Sequence, residues 1–185
     1  MIPRIIHYCW FGRGPMPELA LKCIESWHKY LPDYEYKLWN EENFDINSNQ
    51  YVSEAYEAKK YAFVSDYVRL FALYNEGGIY MDTDVEVLKS YDNLLHLSGF
   101  IGFDETKHLP VGTGTIACQA KGEWVSRMML SVSRISSNPA VAYLYRIRMN
   151  SITKARGKEA VKKKQFRPST HHQSIEGQEV RCDQE

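Results

Sequence analysis

Apolar runs and helix-spaced apolar positions alternate through the first 125 residues of the chain. Ile5, Ile6, His7, Tyr8, Cys9 and Trp10 form a short apolar run closed by Gly12, Gly14 and Pro15, the pattern of a buried strand that ends in a loop. Over residues 17–30, Leu19, Cys23, Trp27 and Tyr30 recur at helical spacing, Pro17 suits a first turn, and Pro32-Asp33 stops the helix. Tyr34, Tyr36 and Leu38 alternate with Glu35 and Lys37 ahead of Trp39, which predicts a second strand. After a polar, turn-rich stretch over 40–49, residues 53–75 read as a long helical segment with a break expected near Lys60. Gly77-Gly78 ends it, and Ile79, Tyr80 and Met81 resume as a strand. Residues 100–104 and 111–120 read as two further strands, with Gly112-x-Gly114 bending between them, and 123–130 as the opening of another helix.

Strand, helix, strand, helix, strand predicts an α/β fold with a mostly parallel, helix-flanked sheet, irregular towards the C-terminus. Binding sites in such sheets lie beyond the carboxyl ends of the strands. Composition adds a boundary. The net charge of zero divides into 11 Lys+Arg against 18 Asp+Glu over residues 1–125 and 12 against 5 over 126–185. Among the 24 aromatics, only Tyr143, Tyr145 and Phe166 fall in the second part. The expected organisation is a globular unit over 1–128 and a basic polar segment over 129–185, solvated and partly disordered. Lys162-Lys163-Lys164 could also contact anionic lipid or a phosphorylated acceptor, and His171-His172 could complete a metal shell. With no apolar run of roughly 18 residues and no signal-like start, the chain is expected to be cytoplasmic, at most peripheral at a membrane face. Cys9, Cys23, Cys118 and Cys182 form no C-x-x-C pair, so reduced thiols are expected, although a disulfide between any two stays open.

The candidate chemistry begins at Gly77-Gly78-Ile79-Tyr80-Met81-Asp82-Thr83-Asp84, a helix stop, a buried strand and two carboxylates one residue apart. Where a strand leaves its sheet both carboxylates can turn to one point. Magnesium and manganese accept one or two carboxylates, with phosphate oxygens and water completing the shell. The plainer reading of Asp82-Thr83-Asp84 is an exposed turn, and Glu86 suits a solvent-facing strand position. Upstream, Ala62, Ser65, Asp66 and Arg69 share one helix face, while Val64, Tyr67, Val68 and Phe71 occupy the other. Asp66 and Arg69 alone amount to an i, i+3 surface pair contributing a few tenths of a kcal/mol.

The run from Tyr61-Ala62-Phe63-Val64-Ser65-Asp66-Tyr67-Val68-Arg69-Leu70 to Gly77-Gly78-Ile79-Tyr80-x-Asp82-Thr83-Asp84 resembles the DXD sugar-binding region of glycosyltransferase family 32. That family includes bacterial capsular and exopolysaccharide transferases, and the glucosylating domain of clostridial toxins shares the arrangement. The opening Ile2-Pro3-Arg4-Ile5-Ile6-His7-Tyr8-Cys9-Trp10-Phe11-Gly12, with Cys23-x-x-Ser26-Trp27 and Pro32-Asp33-Tyr34-Glu35, resembles the same family's first segment. The resemblance covers about residues 1–125 and thins beyond Gly122-Glu123-Trp124.

It implies a GT-A-like fold, a nucleoside-diphosphate sugar donor, a Mn2+ or Mg2+ ion, a glycan or lipid-linked glycan acceptor, no nucleic-acid partner, and transfer with retention. By the resemblance, Asp66 and Arg69 hold donor sugar hydroxyls with Ser65 and Ala62 beside them. Asp82 contacts ribose and sugar with Thr83 adjacent, and Asp84 ligates the metal, joined by Asp82. Trp10 stacks on the base, a contact worth about 1–3 kcal/mol in nucleic-acid complexes, and His7 and Tyr8 line the same pocket. Trp39 borders the nucleotide. A core role stays open for Trp10 and His7, and no residue stands out as a nucleophile. Two other classes share these residues: a domain that grips a sugar nucleotide without transfer, and a hydrolase that uses the Asp pair on a phosphoester.

Overall fold

The computed structural model describes residues 1–104, 109–110 and 114–132. In chain order they form β1 (Ile5–Cys9), α1 (Glu18–Tyr30), β2 (Glu35–Trp39), α2 (Gln50–Glu57), α3 (Tyr61–Glu76), β3 (Gly78–Met81), β4 (Gly99–Ile101), β5 (Phe103–Asp104), β6 (Leu109–Pro110), β7 (Thr115–Cys118) and α4 (Glu123–Val132). Five strands make one sheet in the order β2-β1-β3-β7-β4, and β5 pairs with β6 in a separate antiparallel ribbon. β1 runs parallel to both β2 and β3, whereas β7 runs antiparallel to β3 and β4. Four strands therefore share a direction, and β7 alone is reversed.

The chain leaves β1 for β2 on one side and then returns through α2 and α3 to β3 on the other. The carboxyl ends of β1 and β3 thus bound the crevice where the strand order switches, the usual ligand position in open α/β sheets. Alternation along the strands splits the core. One face sends Cys9, Trp39, Tyr80, Ile116 and Cys118 towards α2, α3 and α4. The other sends Ile6, Ile79, Met81 and Ala117 towards Trp27 of α1 and the segment carrying Val85, Val87 and Tyr91. Trp27 is wholly buried and its indole N–H donates to Val85 O at 2.6 Å, fixing the chain just after the two aspartates.

The expected break near Lys60 divides two helices, and its agent is Lys59, which adopts φ 56. α2 begins at Gln50 because the Asn49 side chain accepts from Tyr51 N, a cap that the polar stretch before it concealed. The strand expected over 100–104 is cut at Gly102, whose N–H turns to Thr115 O, so β4 and β5 are separate. Of the strand expected over 111–120, residues 111–113, with Gly112 of the expected bend, lie outside the described residues, and β7 forms within the rest. α4 continues past residue 128, while 133–185, with the Lys162–Lys164 run, His171, His172 and Cys182, lie outside the described residues. Cys9, Cys23 and Cys118 are buried and form no disulfide with one another. Among the described residues no helix is long and apolar enough to cross a membrane.

Gly77 and Gly78 serve more than a helix stop. Gly78, at φ 104, lies so close to β1 that a Cβ would come within 2.6 Å of Ile5 O. Beside it His7 is wholly buried. Its Nδ1 accepts from the Trp39 indole at 3.1 Å, so Nε2 carries the proton and donates to Gly77 O at 2.8 Å. Burial pulls its pKa below the usual histidine value, the Gly77 bond opposing. Below about pH 6.5 the unfolded chain takes up a proton that the folded chain refuses, so this stability is lost as pH falls through that value. The melting temperature is accordingly expected to drop between about pH 7.5 and 5.5 by more in the wild type than in His7→Gln. Equal drops would count against a neutral His7.

Candidate functional site

α3 and β3 deliver the charged groups from opposite sides of the crevice. The side chain of Arg69 is 5% exposed, and its Nη2 lies 3.0 Å from Asp66 Oδ1 and 3.3 Å from Asp82 Oδ1. Arg69 Nε donates to Ser65 O at 3.2 Å, and the guanidinium sits 4.6 Å from the centre of the Tyr80 ring. Tyr80, itself buried, donates its hydroxyl proton to Asp82 Oδ1 at 2.8 Å. Burial works against the Arg69 charge, but Asp82, Tyr80 and Asp66 outweigh it and raise the pKa.

Asp82 is held at both backbone and side chain. Its N–H donates to Gly114 O at 2.8 Å, its carbonyl accepts from Val85 N at 3.1 Å, and Oδ1 takes the bonds just described. Oδ2 faces Gly114, where a Cβ would come within 3.3 Å of it. Asp84 is exposed, and its carboxyl pKa is raised by desolvation and then by the Asp82 charge. A like-charged pair of this kind, with one carboxylate open to solvent, is the donor set that a hard divalent cation relieves. Among the described residues no three His, Cys, Asp or Glu gather to enclose a metal ion.

Of the sequence-predicted residues, the structure brings Ser65, Asp66, Arg69 and Asp82 together. Ala62 is exposed one turn earlier on α3, and Thr83 is half-buried between the aspartates. Trp10 is half-buried past the end of β1, with its indole N–H on Gly14 O at 2.7 Å. Tyr8 turns to the α1 side, edge-on to Trp27 with ring centres 5.4 Å apart. The resemblance places His7 and Trp39 beside the nucleotide. Both point into the core, 0% and 4% exposed, and spend their polar atoms on each other and on Gly77.

Two functional neighbours were not singled out from the sequence. Tyr80 is one, and its position two residues before Asp82 on the same strand face is the signal that could have marked it. Cys9 is the other. It packs beneath the cluster in contact with Arg69, Tyr80 and Ser65, and burial pushes its thiol up to about 12, which leaves it protonated and unreactive.

The chain is similar to known proteins in sequence and in fold. Residues 17–100 match the family described as glycosyltransferase sugar-binding region containing DXD motif. Inositol phosphoceramide mannosyltransferase 3 of Schizosaccharomyces pombe is 36% identical over 108 residues, which are 54% of this chain and 29% of that protein. Mannosyl phosphorylinositol ceramide synthase CSH1 of Saccharomyces cerevisiae is 30% identical over 105 residues, 55% of this chain and 28% of that protein. The chain thus spans under a third of the length of these relatives. A solved structure, PaToxG glycosyltransferase, superposes with a TM-score of 0.56 over 71% of this chain and 61% of that one, at 21% identity, a likeness of fold. Residues 17–100 are thus similar to a sugar-binding region of the DXD glycosyltransferase kind, and the α/β fold resembles that of a glycosyltransferase of known structure.

Proposed function

We propose that the chain is a glycosyltransferase that binds a nucleoside-diphosphate sugar in the crevice between β1 and β3 and passes the sugar to a hydroxyl acceptor. The observation that carries this reading is the joining of Asp66, Arg69 and Asp82 within hydrogen-bonding range, with Asp84 open beside them. Arg69 sets the carboxylates of Asp66 and Asp82 in place, and Asp66 accepts from sugar hydroxyls. Trp10 offers its face to the base. Asp84 and Asp82 Oδ2 would hold Mn2+ or Mg2+, which when bound supplies Lewis-acid stabilisation of the diphosphate leaving group. Asp82 Oδ1 stays engaged with Arg69 and Tyr80, so sugar-holding and metal-holding oxygens share one side chain. Transfer with retention follows from the resemblance alone, and no side chain is assigned as nucleophile.

The acceptor in this reading is a glycan or lipid-linked glycan. A capsular polysaccharide rests on the resemblance, while the names of the yeast relatives point to mannosyl transfer onto a phosphoinositol lipid. A guanosine diphosphate mannose donor therefore heads the test. In a thermal-shift panel of uridine and guanosine diphosphate sugars, one donor at about a hundred times its Kd is expected to add about 2.7 kcal/mol, several degrees of melting temperature, only with manganese present. If no donor shifts the transition under either condition, the reading is wrong.

A further inference from the structure

We propose that Glu41 is a positioning residue for donor binding, clamping the loop after β1 so that the Trp10 indole is held ready for the base. The proposal rests on the donor reading for the ligand and, for the clamp, on two hydrogen bonds to one carboxylate oxygen with the packing and charge around Gly12 and Arg13. The loop over residues 10–14 contains two successive left-handed residues, Gly12 at φ 99 and Arg13 at φ 59. For a residue with a Cβ that conformation is disfavoured, so local preference does not hold the loop.

Glu41 does. Gly12 N donates to Glu41 Oε1 at 2.6 Å, and the hydroxyl of Tyr56 on α2 donates to the same oxygen at 2.8 Å. The Tyr61 ring at the start of α3 fills the space beside Gly12, where a Cβ would come within 2.5 Å of it. Arg13 adds its charge next to the carboxylate. Burial works against the Glu41 charge, but the Gly12 and Tyr56 bonds prevail and lower its pKa.

The loop passes this order to Trp10. Trp10 N donates to Trp39 O at 3.0 Å, and the indole N–H donates to Gly14 O at 2.7 Å, so the ring is tied to the segment that Glu41 grips. Glu41 is itself placed by a turn beyond β2. There Asn40 N donates to Asn43 Oδ1, Glu42 N to Asn40 Oδ1, and Asn43 Nδ2 to Leu38 O. A half-buried carboxylate so served, gripping a loop that carries one half-buried aromatic, makes sense if ring orientation matters. A pre-ordered loop spares the ligand the entropy of ordering it.

The test titrates uridine diphosphate and guanosine diphosphate, each with manganese, into wild type, Glu41→Ala, Glu41→Gln and Tyr56→Phe, and follows donor hydrolysis in parallel. Losing a charge-assisted bond predicts about tenfold weaker binding and a matching rise in KM for Glu41→Ala, with kcat within about twofold. Glu41→Gln, which keeps an acceptor oxygen, is expected to restore most of the affinity. Tyr56→Phe is expected to weaken binding about threefold, and it carries the test if Glu41→Ala does not fold. A wild type that binds beside variants that bind equally well, or a loss in kcat at constant affinity, overturns the clamp. A wild type that binds neither nucleotide overturns the donor reading and this proposal with it.

Discussion

Asp84→Asn is expected to cut release of nucleoside diphosphate from the donor by about a hundredfold or more while leaving the fold intact. The two effects separate because of where the side chain stands. Asp84 is exposed, and it is pushed towards its neutral form by desolvation and by the Asp82 charge. Replacing it with an uncharged isostere removes a repulsion, so without metal the melting temperature is expected to hold steady or rise slightly, within about 0.5 kcal/mol. The manganese-dependent part of the donor shift is expected to vanish in the same protein. Equal product release by wild type and variant would remove the metal role from Asp84.

Arg69→Met is expected to fail in the opposite manner, losing turnover and stability together. The guanidinium is 5% exposed and lies between the carboxylates of Asp66 and Asp82, which are 15% and 35% exposed. Methionine keeps part of the apolar stem but leaves two acidic groups facing each other without their cation. Removing one partner of a buried pair costs about 3–5 kcal/mol, and the partial exposure of Asp82 places this case near about 3 kcal/mol. For a chain of this size that lowers the melting temperature by roughly 6–12 °C. The double replacement Asp66→Asn with Arg69→Met is expected to recover part of the stability and none of the turnover. A single variant that melts with the wild type would show that the Arg69 charge is not compensated as the geometry implies.

Short apolar runs beside glycines made β1 and β3 legible in the sequence, period-two alternation made β2 so and helical spacing α1, with ends displaced by a residue or so, as helix and strand boundaries usually are. Asp82 and Asp84 were legible because glycines and a buried strand precede them. Arg69 was legible as a surface pair with Asp66, which understates it. Its deep burial and its second carboxylate depend on β3 lying alongside α3, a relation between distant segments that local spacing does not encode. The same limit explains His7, whose inward direction follows from alternation but whose partners Trp39 and Gly77 come from two distant segments. Glu41 was invisible for a related reason. Nothing in its own neighbourhood announces that Gly12, across the crevice end of β1, donates to it.

The side-chain-free joint at Gly77 and Gly78 has a practical corollary for protein engineering. Because β3 starts flush against the β1 backbone, the reach from the guanidinium to its acidic partner is set by main-chain geometry, with no adjustable spacer. Anyone transplanting this polar grip onto another scaffold would have to move the helix, the two glycines and the strand as a single cassette. Grafting the four charged residues by themselves would not reproduce it.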